Sequence, residues 1–217
     1  MNFDVFLSYS RSDKRFVTAL ARQLGRYTPP GSLGLPARRL QPFMDSSDLV
    51  GTDYDSAIQR SLAASRKLIV VCTPAARASS YVNDEIRRFL QLPGRSAADV
   101  IALLLAGRPN NEVNDDPADS ADPAAGKAFP EVLCEAMVMP LAVDYRGCEP
   151  GHHKLDDGAY ANAWFVLLAN LLGVDRAALE EREAKRRRQR RWVIGGITGS
   201  VMTALATLAG LASWQRS

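Results

Sequence analysis

Histidine is nearly missing from this chain: its 217 residues hold two, His152 and His153, side by side. A metal or acid–base site built on several separated histidines is therefore excluded. Cysteine is as sparse. Cys72, Cys134 and Cys148 are odd in number, widely spaced and never C-x-x-C, which rules out a disulfide scaffold and the familiar zinc knuckles and points to a reducing compartment. No G-x-x-x-x-G-K-[ST] or G-x-G-x-x-G stretch occurs, so the phosphate cradles built by those sequences are excluded. There is no G-x-S-x-G elbow either, and no internal repeat. What remains is ordinary: 47% apolar and 24% charged residues describe a globular chain, neither disordered throughout nor collagen-like.

The formal charge of +3 conceals an asymmetry. Residues 182–217 carry eight cations and one acid, leaving residues 1–181 with 19 cations and 23 acids. Six of the basic residues fall within Lys185–Arg191, and no charge follows from Trp192 to Trp214, a run of 23 positions. At about 1.5 Å per helical residue such a run spans roughly the 30 Å of a bilayer's hydrocarbon core. Tryptophan at each end suits the headgroup region, and the basic flank is expected on the cytoplasmic side, against anionic lipid headgroups. We therefore expect a single-pass membrane protein with residues 176–191 as a basic juxtamembrane helix or linker and 192–214 as a transmembrane helix. Asn2–Asp4 open at once on a polar start and a short strand, so no secretory leader is expected and residues 1–191 are placed in the cytoplasm. A basic run beside such a helix is better explained by lipid than by nucleic acid, which is not expected as a partner. Gly195, Gly199 and Thr203, with Gly196, Ser200 and Ala204, share helix faces that permit close helix–helix approach.

Within residues 1–175 the apolar runs Phe3–Leu7, Leu68–Cys72, Val100–Leu105 and Leu141–Val143 are continuous rather than alternating, as in strands covered on both faces of a parallel sheet. Leu40–Met44 is weaker and carries Pro42, which suits an edge. Helical stripes lie between them: Phe16, Leu20 and Leu24 behind Ser12 as N-cap; Ile58 and Leu62 behind Thr52, with Asp55 as capping-box partner; Val82, Ile86, Phe89 and Leu90; and Trp164, Leu167, Leu168 and Leu171. The alternation predicts an α/β fold, a doubly wound, flavodoxin-like five-stranded parallel sheet of order 2-1-3-4-5. Arg26–Arg39 is a Pro/Gly loop, and Gly107–Pro130 an acidic, Pro- and Ala-rich insertion whose composition favours disorder.

Ligands of open α/β sheets sit beyond the carboxyl ends of the strands, here Ser8–Arg11, Asp45–Asp48, Thr73-Pro74 and the helix around residue 85. A response-regulator receiver needs acids where this chain has Leu7-Ser8 and an Asp where it has Cys72-Thr73, so that function is excluded. On a helical wheel Glu85 and Tyr81 stack as an i, i+4 pair at the margin of the apolar face set by Val82, Ile86 and Phe89. Pattern alone leaves Glu85 open between a partly desolvated functional carboxylate and a solvated one paired with Arg88.

The stretch Phe3–Ser10 (FDVFLSYS) resembles the opening strand of Toll/interleukin-1 receptor (TIR) domains. Phe43-Met44-Asp45 followed by Asp48–Gly51 resembles their second strand and BB loop, and Ser80–Ile86 (SYVNDEI) the start of the helix that carries the essential glutamate in NAD-cleaving members. The likeness runs from about Asn2 to Gly173 and is strongest to bacterial proteins in which the domain precedes a transmembrane helix and sometimes a WD40 propeller, so the chain is read either as tail-anchored or as part of a longer protein. The resemblance implies that NAD+ is a substrate rather than a cofactor, that Glu85 is catalytic, that Tyr81 and Arg11 lie close to the dinucleotide, and that Ser8, Tyr9 and Asp45 line the mouth of the site, with no metal. A carboxylate suits this chemistry, since nicotinamide departure leaves an oxocarbenium-like ribosyl cation that an anion stabilises. The resemblance further implies activation by homotypic TIR self-association and a role in signalling or bacterial defence. The alternative is a non-catalytic interaction module that recruits other TIR domains through residues 45–53. The loop before strand two and the insertion after strand four depart from the general TIR pattern.

Overall fold

In this computed structural model, residues 3–45, 52–110, 126–137, 140–148, 158–186 and 188–189 are described. Five strands, β1 (Phe3–Ser8), β2 (Pro42–Met44), β3 (Ser65–Cys72), β4 (Val100–Leu104) and β5 (Ala142–Asp144), form one sheet. Every neighbouring pair is parallel and the order is β2-β1-β3-β4-β5, as the alternation of elements predicts. The central strands β1, β3 and β4 are buried along almost their whole length, the environment that continuous apolar runs require. Pro42 opens the edge strand β2, where a missing N–H breaks no ladder bond. The strand is shorter than its apolar run, because Leu40 donates its N–H to the Tyr27 carbonyl rather than to the sheet.

Side chains alternate across a strand, so each strand divides its residues between two faces. Phe6, Leu68, Val70, Cys72, Val100, Ala102 and Leu104 share one face. They pack with Ile58 and Leu62 of α2 (Thr52–Ala63), Val82, Ile86 and Phe89 of α4 (Ser80–Gln91), and Val132 and Leu133 of α5 (Glu131–Ala136). The opposite face meets α1 (Lys14–Arg26) and α6 (Gly158–Leu172), whose Leu20, Leu24, Leu167 and Leu171 are fully buried. Edge-on aromatic contacts join these layers: the Tyr145 ring lies 5.9 Å from Phe16 and 6.0 Å from Tyr160, centroid to centroid.

One expected cap is replaced, and the expected capping-box partner of another is engaged elsewhere. Arg11–Asp13 form a 3-10 turn, so Asp13 and not Ser12 stands at the N-cap of α1, and the Ser12 hydroxyl bonds Ser10. Asp55 reaches across to α4 and pairs with Arg88 at 3.2 Å; the Thr52 side chain lies outside the described residues. Two helices of under two turns, α3 (Pro74–Ala78) and α5, were not anticipated, being too short to show a helical period.

The Pro/Gly loop after α1 is pinned at the amino end of the sheet. Arg38 donates to both carboxylate oxygens of Asp4, at 2.7 and 2.9 Å, and Asp4 also accepts the Gln41 N–H at 2.8 Å. The insertion after β4 is closed at its base by a parallel bridge between Arg108 and Lys127. Gly107 there has φ +81, and a Cβ at that position would lie 2.5 Å from the Gly126 carbonyl oxygen. Residues 111–125, where the sequence favours disorder, lie outside the described residues.

Met1–Val174 and Asp175–Ser217 are separate compact units. In the second, residues 176–186 are helical. Asp175 accepts the Ala178 N–H at 2.9 Å, and Arg176 pairs with Glu180 at 2.6 Å. The run 192–214, expected to cross a membrane, lies outside the described residues; no described helix is long and apolar enough to do so.

Candidate active site

The carboxyl end of β1 and the first turns of α4 meet because of strand parity. Phe6 lies on the face that packs against α4, and Ser8, two residues on, continues that face to the strand's last position. Helix α4 starts cleanly: the Ser79 hydroxyl accepts the Val82 N–H at 3.3 Å, and Val82, Ile86 and Phe89 lock the helix to the sheet. Glu85, next to Ile86, is thereby turned toward the strand end. Its carboxylate accepts a hydrogen bond of 2.5 Å from the hydroxyl of Ser8, a residue with no solvent exposure.

Among the described residues no cation pairs with Glu85. Arg88 is held by Asp84 at 2.7 Å and by Asp55 at 3.2 Å, so the pairing of Glu85 with Arg88 left open by the sequence does not form. Burial pushes the Glu85 carboxyl up to about 8, with the Ser8 hydrogen bond pulling against it, the charges of Asp45 and Asp84 adding to the rise, and Arg88 opposing weakly. Desolvation of an unpaired carboxylate favours its neutral form. A cation arriving beside it restores the charged form by the same electrostatics.

Tyr9, the next residue after Ser8, donates its hydroxyl to the Asp45 backbone carbonyl at 2.5 Å. That bond joins the loop after β1 to the loop after β2. The Tyr9 phenol is held above its ordinary value by burial first and by the charges of Asp45 and Glu85, with Arg11 opposing. Arg11 is exposed in the 3-10 turn beyond it. Ser8, Tyr9, Asp45 and Glu85 are therefore brought together by direct bonds or mutual charge, and Arg11 lies within electrostatic reach of Tyr9. Tyr81 is different. It stands one turn before Glu85 but is 68% exposed, a ring presented to solvent at the start of α4. Of the loop 45–53, residues 46–51 lie outside the described residues.

One bonded pair at this end was not anticipated as such. The buried Thr73 hydroxyl donates to Asp13 at 2.9 Å while accepting the Ala76 N–H at 3.0 Å. It caps α3 and ties the end of β3 to the turn that carries Arg11. Burial raises the Asp13 carboxyl, against the Thr73 and Ser12 hydrogen bonds. The Thr73-Pro74 pair is an N-cap signal in the sequence; its partner across the loop is not local and leaves no pattern.

A half-buried carboxyl that no described cation pairs with, beside a tyrosine and at the carboxyl end of a parallel sheet, can stabilise developing positive charge in a ligand. The family model described as TIR domain matches residues 5–133. An NAD(+) hydrolase of Actinoplanes sp., ApTIR, is 28% identical over 223 residues; the alignment covers 100% of this chain and 30% of that protein, so the chain spans under a third of its relative's length. Among solved structures, the TIR domain of the Toll-related receptor TRR-2 of Hydra magnipapillata aligns at 21% identity over 52% of this chain and 77% of that one, with a TM-score of 0.36. The TIR domains of the activated Roq1 resistosome align at 17% identity over 77% of this chain and 98% of that one, with a TM-score of 0.46.

Proposed function

The chain belongs to the TIR domain family, and from that premise we propose that it cleaves the bond between nicotinamide and ribose in NAD+, with Glu85 as the catalytic residue. The observation that carries this reading is the half-buried carboxyl of Glu85 at the end of β1, hydrogen-bonded to Ser8 and paired with no cation among the described residues. In NAD+ the pyridinium is already cationic, so nicotinamide leaves with the bonding electron pair and needs no proton. The Glu85 carboxylate stabilises the ribosyl cation that remains. Water then adds at the anomeric carbon and releases a proton, giving ADP-ribose; attack by a nucleophile within the same molecule gives a cyclised product instead. Tyr9, Arg11, Asp45 and Tyr81 line the approach, Arg11 facing the dinucleotide's phosphates. The curated relative named as an NAD(+) hydrolase supports the choice of substrate.

The reading extends to place and assembly. The uncharged run 192–214 anchors the chain in a membrane with the TIR domain on the cytoplasmic side, the cations of Lys185–Arg191 contact anionic headgroups, and homotypic association of TIR domains on that surface turns catalysis on. The test is nicotinamide release by the full chain reconstituted in vesicles with and without anionic lipid, alongside Glu85→Gln. Turnover that depends on Glu85 and rises with clustering supports the proposal. NAD+ binding with no turnover under any condition, or turnover indifferent to Glu85→Gln, overturns it; the first outcome leaves a domain that recruits other TIR domains without cleaving NAD+.

A further inference from the structure

Ser8 stands in the sequence as a residue lining the mouth of the site, yet it has no solvent exposure and its hydroxyl is spent on Glu85. We propose that Ser8 is a positioning residue, whose hydroxyl holds the Glu85 carboxyl in the orientation and charge state that meets the substrate, without itself touching that substrate. The proposal rests on the reading of Glu85 given above.

Three observations converge on it. First, the Ser8 backbone is fixed: it is the last residue of a central strand, in register with Val70 of β3, and its side chain is enclosed with no solvent exposure. Second, among the described residues it is the hydroxyl that reaches Glu85, at 2.5 Å. A hydrogen bond donated to a carboxylate favours the ionised form and fixes which oxygen faces outward. Third, the surrounding charges do not do this work. Asp84 on the same helix and Asp45 after β2 oppose ionisation, and Arg88 favours it only weakly because Asp84 and Asp55 hold it. The remaining described groups facing this corner are the Tyr9 phenol and, beyond it, Arg11. Among the groups around Glu85, the Ser8 hydroxyl is the largest influence toward the carboxylate.

The experiment is the pH dependence of kcat/KM for nicotinamide release by the vesicle-bound full chain, for wild type, Ser8→Ala and Ser8→Thr, from about pH 6 to about pH 10. Since catalysis needs the carboxylate, the wild-type rate rises with pH to a plateau. Ser8→Ala moves the midpoint upward by about one pH unit, which lowers kcat/KM at neutral pH about tenfold, with KM little changed. Ser8→Thr, which keeps the hydroxyl, restores the wild-type profile. Loss of activity in Ser8→Ala with an unmoved midpoint, or a rise in KM alone, makes Ser8 a packing residue or a substrate contact and overturns the proposal. A second readout separates this outcome from failure of the catalytic reading itself. Carboxyl-carbon NMR of glutamate-labelled protein, assigned with Glu85→Gln, follows the Glu85 titration whether or not NAD+ is cleaved. An upward shift in Ser8→Ala supports the positioning role, and an unchanged titration overturns it.

Discussion

Arg88 pairs with Asp84 one turn earlier on α4, at 2.7 Å, and not with Glu85 three residues before it. The second arm of its guanidinium goes to Asp55 of α2, so this arginine serves as a clamp between two helices. The consequence for Glu85 is electrostatic isolation. Its carboxyl is partly desolvated by the core and paired with no described cation, Arg88 acting on it only at a distance, and burial wins over the Ser8 hydrogen bond.

That isolation makes Glu85 a cost to the fold at neutral and alkaline pH. The folded carboxyl titrates near 8 against an ordinary value of 4.5, so the native state holds a proton that the unfolded chain has released. Stability linked to this group is fully present below about pH 4.5 and is lost as pH rises through about 8. Glu85→Gln, which cannot ionise, is expected to be more stable than wild type at pH 8 and above, by an amount on the order of a few kcal/mol, and equal to it near pH 4. Urea denaturation across pH checks this; a difference that does not change with pH refutes it.

Thr73→Val keeps the volume and removes both hydroxyl bonds. Losing the α3 cap and the tether to Asp13 is expected to cost about 1–2 kcal/mol. Because the tether steadies the turn bearing Arg11, KM for the dinucleotide should rise more than kcat falls. Denaturation midpoints and steady-state kinetics measure the two effects separately.

At the other end of the sheet, Arg38→Ala leaves a carboxylate that is 11% exposed with the Gln41 backbone N–H as its remaining described partner. The expected loss is about 1–3 kcal/mol, with nicotinamide release per folded molecule unchanged, since Asp4 lies at the amino end of β1 and Glu85 at its carboxyl end. A matched loss of turnover would contradict this separation.

Gly107→Ala combines a positive φ with a Cβ set against the Gly126 carbonyl. A destabilisation of at least about 1–3 kcal/mol is expected, together with faster proteolysis between residues 107 and 130 as the Arg108–Lys127 bridge opens. A denaturation midpoint equal to wild type would show that the turn has room to move.

Much of the fold was legible because its signals are local. Leu68–Cys72 and Val100–Leu104 read as buried parallel strands from their unbroken apolar character, and Pro42 marked the edge. The cap of α1 was misplaced by one residue because Ser12, Asp13 and Ser10 all offer capping oxygens, and only the 3-10 turn decides among them. Helices α3 and α5 left no period to detect. At the site, the wheel put Glu85 and Tyr81 together at the margin of α4, but the structure separates them: the carboxyl turns inward and the ring stays 68% exposed. The Ser8–Glu85 contact was within reach. Parity from Phe6 places Ser8 on the α4 face, and combining that with the wheel position of Glu85 would have joined them. The pairings of Arg88 with Asp55 and Thr73 with Asp13 span separate elements and depend on tertiary packing, which one sequence does not display.

The closed base of the insertion has a practical consequence. Arg108 and Lys127 are bridged, and Asn110 bonds the Phe129 N–H and carbonyl, at 3.2 Å each, and the Cys134 sulfur at 3.0 Å. The flanks of the insertion are thus clamped to each other and to α5 by residues that lie outside 111–125. Replacing residues 111–125 with a reporter or an epitope is therefore expected to leave the Ser8–Glu85 contact intact, because the base is closed by residues on either side of them.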